Sequence, residues 1–270
     1  MTLLASWVGV DCKKHGPKVA SLYIVSDSRI SWNRRTFFDQ NQKVYAMKSH
    51  PDVLGFCGDV IFPSNILSQF VSQVDSGLIY SIDSAAEYKF DQLFKHISNS
   101  FADYPKQQIN KSFKIIYGTR DIDNEFYCFT LSWDTALGFV SKKVEMPIQS
   151  DILTVEGSGR TEFLDIWDNK YDLSKHNNFG TSRAVYHCFT ETLEGISDPA
   201  CGGAPQIAAI YRHDNAKYIG IIKDGRKYFM GSEVLGDQIT NFVEWRNDLF
   251  ERCDPQNLEI LKAATRQPKS

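Results

Sequence analysis

The chain has 270 residues, with 30 Lys+Arg against 33 Asp+Glu and a formal net charge of −3. A hydrophobic fraction of 42% and a charged fraction of 23% exclude wholesale disorder, and the slight acidity disfavours a general nucleic-acid binder. No apolar run approaches the ~20 residues of a membrane-spanning helix, so neither nucleic acid nor membrane is expected as a partner.

The first third reads as strands. Leu3–Val10 and Val19–Asp27 form a hairpin whose loop, 11–18, is long and charged. Met1–Val10 is apolar but too short for a signal-peptide core and lacks a basic leader, so the mature chain is expected to begin at residue 1 or 2. A polar loop from Ile30 to Gln42 leads to short strands at 43–47 and 53–57. Ile66, Leu67, Phe70, Val71 and Val74 then predict a helix capped by Ser64, and a second helix runs over 84–101 from a cap at Asp83 or Ser84.

Strands return at 112–118, 125–133, 138–144 and 152–155, followed by helices at 160–167 and 182–193 around a polar loop, 168–180. Strands at 206–211, 218–222 and 227–230 complete a domain over 1–232. The remainder, 233–270, reads as an amphipathic helical extension (Ile239, Phe242, Val243, Leu249, Phe250) with a polar tail. Blocks of strand hairpins separated by helix pairs point to antiparallel sheets with helices packed outside.

No Walker loop, dinucleotide fingerprint, HExxH or GxSxG motif is present. The six cysteines (Cys12, Cys57, Cys128, Cys188, Cys201, Cys253) form no CxxC pair and read as reduced thiols of a cytoplasmic protein. His15, His50, His96, His176, His187 and His213 show no paired spacing and read as surface or packing residues. Lys13-Lys14 and Arg34-Arg35 read as solvated loop charges, and Trp7 and Trp32 as core or loop anchors that also stand near a pocket. Four features remain. Asp27-Ser28-Arg29 ends a strand, and Lys43 opens another 16 residues after Asp27. Gly157-Ser158-Gly159 sits between a strand and a helix, and Asp198-Pro199-Ala200-Cys201-Gly202-Gly203 precedes a buried strand.

In this order, with Gly58-Asp59 leading into a helix, these features resemble the β-type proteasome subunits and their bacterial relatives, within the N-terminal-nucleophile hydrolases. The resemblance spans about Ser6–Met230. It implies an α+β, four-layer αββα sandwich of two mainly antiparallel sheets, peptide-bond hydrolysis by an N-terminal threonine, and no cofactor. It also implies homo-oligomeric assembly, a peptide or unfolded-protein substrate and an ATP-dependent unfoldase as partner. Position by position, Asp27 and Lys43 match the active-site pair, Ser158 the supporting serine, and Asp198 the second supporting aspartate. Cys201 stands where the family usually has a serine. The alternative is a catalytically inactive, structural or regulatory ring subunit, and a hydrolase of another bond is a third possibility.

The chemistry needs an activated hydroxyl, a base such as a terminal α-amine, and a nearby cation; backbone N–H groups near Gly55 or Gly58 are the expected oxyanion donors. The family's nucleophile stands four residues before a glycine, and counting back from Gly9 gives Ala5, which has no hydroxyl. The candidates are Thr2, after loss of Met1, and Ser6, after cleavage behind Ala5. Strand alternation places both on the face opposite position 5, so a bulge is expected if either is to reach Lys43.

Overall fold

The computed structural model describes residues 2–13, 16–32, 35–105, 112–236 and 242–264. Met1, Lys14, His15, Arg34 and Ile239, named above, lie outside them. A nine-stranded sheet has the order β10-β1-β2-β11-β12-β13-β14, with β15 beside β12 and β16 beside β15. Its strands are β1 (Leu4–Lys13), β2 (Gly16–Ser26), β10 (Asp151–Glu156), β11 (Gln206–Tyr211), β12 (Lys217–Lys223), β13 (Arg226–Phe229), β14 (Ser232–Glu233), β15 (Glu244–Asn247) and β16 (Arg252–Cys253). A five-stranded sheet runs in sequence order through β5 (Val44–Ala46), β6 (Asp52–Gly58), β7 (Phe113–Arg120), β8 (Phe126–Asp134) and β9 (Gly138–Val144). The hairpin β3 (Ile30–Trp32) and β4 (Thr36–Phe38) forms a third, two-stranded sheet. The α-helices are α1 (Ile61–Asp75), α2 (Ala86–Asp103), α3 (Arg160–Ile166) and α4 (Ser182–Gly195); α3 runs on into a π-helical turn, Trp167–Tyr171.

This architecture corrects the expected four-layer αββα sandwich. Among the described residues strand outweighs helix, with 37% in strands and 24% in helix, distributed over three sheets and four α-helices. Segments expected as loop or helix enter sheet instead. The hairpin ladder continues through Asp11↔Lys18 and Lys13↔Gly16, using up most of the expected 11–18 loop. The described part of the expected C-terminal helix holds no helix; it carries two short strands among turns, and β15 pairs parallel with β12, from Ile219↔Glu244 to Ile222↔Asn247. Two local causes decide this. The Trp245 ring sits where a Cβ on Gly220 would come within 2.4 Å of it, a notch only glycine leaves. Asn247 Oδ1 accepts the N–H groups of Leu249 and Glu251 (3.1 and 2.9 Å), which turns the chain back at Phe250, whose φ is 59°.

The helix starts also differ. α1 begins at Ile61, with Pro63 in its first turn and Ser64 inside it; Asp59 Oδ1 accepts from the Phe62 N–H at 3.3 Å. α2 starts behind Ala85 with no side-chain cap from Asp83 or Ser84. Thr181 caps α4 by accepting the Ala184 N–H. Among the described residues no helix is long and apolar enough to cross a membrane.

Strand alternation sorts the apolar side chains. Leu3, Ala5 and Trp7 of the first strand region join Val25, Phe163, Tyr186 and Phe250 in one cluster. Leu4 and Val8 join Leu22, Ile24, Val53 and Ile116 in another. A third gathers Leu54, Phe56, Phe70, Ile97, Phe113 and Tyr117. Each fully buried side chain of this size contributes roughly 1.5–3 kcal/mol.

One polar network runs through the apolar interior. Lys89, fully buried on α2, holds its Nζ 3.7 Å from Asp52 Oδ1 and donates to the Arg120 carbonyl at 3.3 Å. Asp52 also accepts from the Thr119 hydroxyl and from Tyr80 OH (3.0 Å). Removing one partner strands the other charge away from water. Asp52→Ala is therefore expected to lower the urea-unfolding free energy by about 3–5 kcal/mol; a loss below about 1 kcal/mol would contradict a buried charge pair.

Asp248, in the turn after β15, has a buried Oδ1 with no hydrogen-bond partner among the described residues, and burial raises its pKa to about 6. A carboxyl raised above its unfolded value, near 3.9, costs stability as pH climbs from about 4 to about 6, and the cost stays constant above that. Asp248→Asn is expected to add about 1 kcal/mol at pH 7, discounted for the group's partial exposure, and nothing at about pH 4. Urea melts of both proteins across pH check this; a gain independent of pH would assign it to something other than the carboxylate.

Candidate active site

The end of β2 delivers Asp27 into the interior, fully buried. Its backbone N–H donates to the Leu3 carbonyl at 3.2 Å, and its Oδ1 accepts the Leu3 N–H at 3.1 Å, a reciprocal clasp on the start of the chain. Oδ2 accepts from the backbone N–H groups of Arg29 (3.2 Å) and Gly202 (3.0 Å). Lys43, immediately before β5 and 1% exposed, donates from Nζ to Asp27 Oδ1 at 2.9 Å and to Thr2 Oγ1 at 2.9 Å.

Gln206, the first residue of β11, braces both sides of this pair. Its Oε1 accepts the N–H groups of Lys43 (2.8 Å) and Val44 (3.2 Å); its Nε2 donates to the carbonyls of Asp27 (3.1 Å) and Asn41 (2.8 Å). Sequence reading missed this residue. The signal was a fully buried glutamine opening an otherwise apolar strand, which is costly unless the amide is used.

The glycine turn between β10 and α3 closes the other side of Thr2. The Thr2 N–H donates to Ser158 Oγ at 3.2 Å, and the Thr2 carbonyl accepts the Gly159 N–H at 3.3 Å. Gly157 has φ +93°, and a Cβ there would stand 2.0 Å from the Thr2 carbonyl oxygen. Ser158 Oγ lies 3.5 Å from Cys201 Sγ. Burial, reinforced by the Asp27 charge, pushes the Cys201 thiol up to about 11, so it stays protonated at neutral pH. Asp198 shapes the loop that carries Cys201: its Oδ1 accepts the Ala200 N–H and its carbonyl the Cys201 N–H, both at 3.0 Å. Arg29 ties that loop to the β3–β4 hairpin, pairing with both Asp39 oxygens (2.7 and 2.8 Å) and donating to the Pro199 carbonyl at 3.0 Å.

Thr2, Asp27, Lys43, Ser158 and Cys201 are thus linked by direct contacts, and Asp198 joins through the Cys201 loop. The expected register of the first strand was wrong. Ala5 packs in the apolar cluster with Leu3 and Trp7, so the count back from Gly9 lands on the wrong face. Thr2 reaches Lys43 without a bulge; the irregularities of β1 lie downstream, at Ser6/Trp7 and Gly9/Val10. Ser6, the other candidate, is fully buried and pairs in the ladder with Ile24 and Thr154.

Gly55 belongs to the sheet interior, where a Cβ would strike Ile24 and Leu4, whereas Gly58 borders an open cleft. That cleft, about 420 Å³, is lined by Gly58, Ser112, Lys114, Glu156, Ser158 and Arg160 among others. Trp7 is core, stacked on Tyr23 with its indole N–H on the Ser182 hydroxyl, and Trp32 is exposed. Cys57, Cys128, Cys188, Cys201 and Cys253 are buried and unpaired.

No protein-family model matches the chain, and no curated protein matches it. Gly157 is the position where the site tolerates least. Gly157→Ala is expected to cost about 1–3 kcal/mol through backbone strain and the clash with Thr2, measured by chemical denaturation; a variant as stable as the parent would show that the turn does not press on Thr2.

Proposed function

We propose that the protein is a threonine-type N-terminal-nucleophile hydrolase of peptide bonds, as its resemblance to the β-type proteasome subunits implies, with Thr2 as nucleophile. The observation that carries this reading is the 2.9 Å contact from Lys43 Nζ to Thr2 Oγ1, made by a lysine whose ammonium is already paired with the buried Asp27.

With residue 1 removed, Thr2 presents an α-amine whose ordinary pKa of about 7.7–8.0 suits a base near neutrality. Thr2 Oγ bonds to the substrate carbonyl carbon as its proton passes to that amine, and the carbonyl π electrons move onto oxygen. Backbone N–H groups at Gly58 are assigned to that oxyanion. Collapse breaks the C–N bond; the leaving nitrogen takes the proton from the amine, and an ester to Thr2 Oγ remains. Water then adds to the ester carbon, giving its proton to the amine, and Oγ leaves and recovers that proton. Lys43 stabilises negative charge developing on Oγ, Asp27 fixes Lys43, and Ser158 orients the amine. Cys201, in place of the family's serine, supports Ser158 with a weaker, longer contact.

The five buried, unpaired thiols support a cytoplasmic setting. Homo-oligomeric assembly, unfolded-protein substrates and an ATP-dependent unfoldase belong to the same proposal. One observation favours the alternative, a non-catalytic subunit: Thr2 is only 2% exposed.

Intact mass and fluorogenic-peptide hydrolysis separate the two. A catalytic chain is expected to start at Thr2, to lose at least about 10³-fold in kcat on Thr2→Ala, and to lose comparably on Lys43→Ala. Its kcat/KM is expected to rise with pH through about 8 as the amine gives up its proton. Hydrolysis unchanged in Thr2→Ala, or an active chain that keeps Met1, rules the reading out.

A further inference from the structure

Resting on the reading of Thr2 as nucleophile, we propose that the cleft beside Ser158 receives the leaving-group side of the substrate and that Arg160 recognises a carboxylate there. The side of the scissile bond follows from the proton path. The amine that takes the Oγ proton must return it to the departing nitrogen, so the departing half lies next to the amine. Thr2 N is held by Ser158 Oγ at 3.2 Å, and Ser158 is part of the cleft wall.

The preferred charge follows from an uneven balance of groups. Two cations and one anion line the cleft: Lys114, Arg160 and Glu156. Lys114 Nζ is bound to Glu156 Oε2 at 2.6 Å, and the other Glu156 oxygen accepts from Thr154 Oγ1 at 3.3 Å, so Glu156 is engaged on both sides. Arg160 is exposed and makes no ion pair among the described residues. An exposed guanidinium at the mouth of a cleft, with the one local carboxylate already committed, matches a carboxylate in two-point geometry. That carboxylate has two sources with the same chemistry: an acidic side chain shortly after the scissile bond, or the α-carboxylate of a short peptide.

Binding tests this without turnover. Full-length Thr2→Ala protein is titrated with a fluorescein-labelled, carboxamide-ended Ala/Leu hexapeptide in which one Glu is walked through the positions, against the same peptides carrying Gln. A further arm uses the Gln peptide with a free C-terminal carboxylate. Fluorescence anisotropy is expected to show a roughly fivefold tighter Kd for Glu at one position, or for the free carboxylate, the upper range for an exposed ion pair. That advantage should vanish in Arg160→Gln and shrink in about 0.5 M salt. The position or terminus that responds identifies the source. Equal binding of Glu, Gln and free-carboxylate peptides, undetectable binding by all included, overturns the proposal; so does an advantage that survives Arg160→Gln. Peptide hydrolysis by the unaltered protein reports separately on Thr2, so failure of one reading is distinguishable from failure of the other.

Discussion

Burial of the Asp27 carboxylate is the constraint on which the rest of the site depends. A carboxylate taken wholly out of water is tolerated only when its charge is matched and its lone pairs are filled. Asp27 meets that demand with one ammonium and three backbone N–H groups, drawn from Lys43, Leu3, Arg29 and Gly202. Those partners come from the chain start, the end of β2, the lead-in to β5 and the loop before β11. Three distant stretches and the neighbouring Arg29 therefore converge on a single group, and Gln206 repeats the device with a neutral amide.

Two buried lysine–aspartate pairs exist among the described residues, and their difference is instructive. Around Lys89 and Asp52 the neighbours are Tyr80, Thr119 and a backbone carbonyl, all committed to holding the pair in place. Around Lys43 and Asp27 one direction of the ammonium is spent on the hydroxyl of Thr2. Thr2 is bonded in turn to the serine that lines an open cleft. The first pairing is closed on itself, whereas the second reaches through the Thr2 hydroxyl and backbone to a residue that lines a cleft.

The polar residues of the site were picked out by the resemblance, which places Asp27, Lys43, Ser158 and Asp198 in one order. Taken singly, an Asp and a Lys at strand ends, a serine between glycines and a Gly-rich loop before an apolar strand read as well as a surface pair and ordinary turns. Most strands and helices were legible from their periodicity, down to the bounds of β9 and β11. The register of the first strand was not, because one glycine, Gly9, was used as a ruler across a strand that carries its own irregularities. The C-terminal strands were not, because helical spacing of Phe242, Val243, Leu249 and Phe250 says nothing of a notch over Gly220 that accepts Trp245. The expected αββα layering failed for a related reason. Local patterning counts elements, whereas the share of chain given to sheet is settled by pairings between residues far apart, which no local window contains.

The pairing of β2 with β11 sets residues 21–26 against residues 206–211. During synthesis the β1–β2 hairpin therefore waits with one flank unfilled until β11 has been made. Loop closure over that separation is slow, and an unfilled flank is adhesive toward other nascent chains. Gly202 and Gln206 bond Asp27 and Lys43 from far along the chain, so on the proposed reading of Thr2 its hydroxyl stays unarmed until those distant residues have docked.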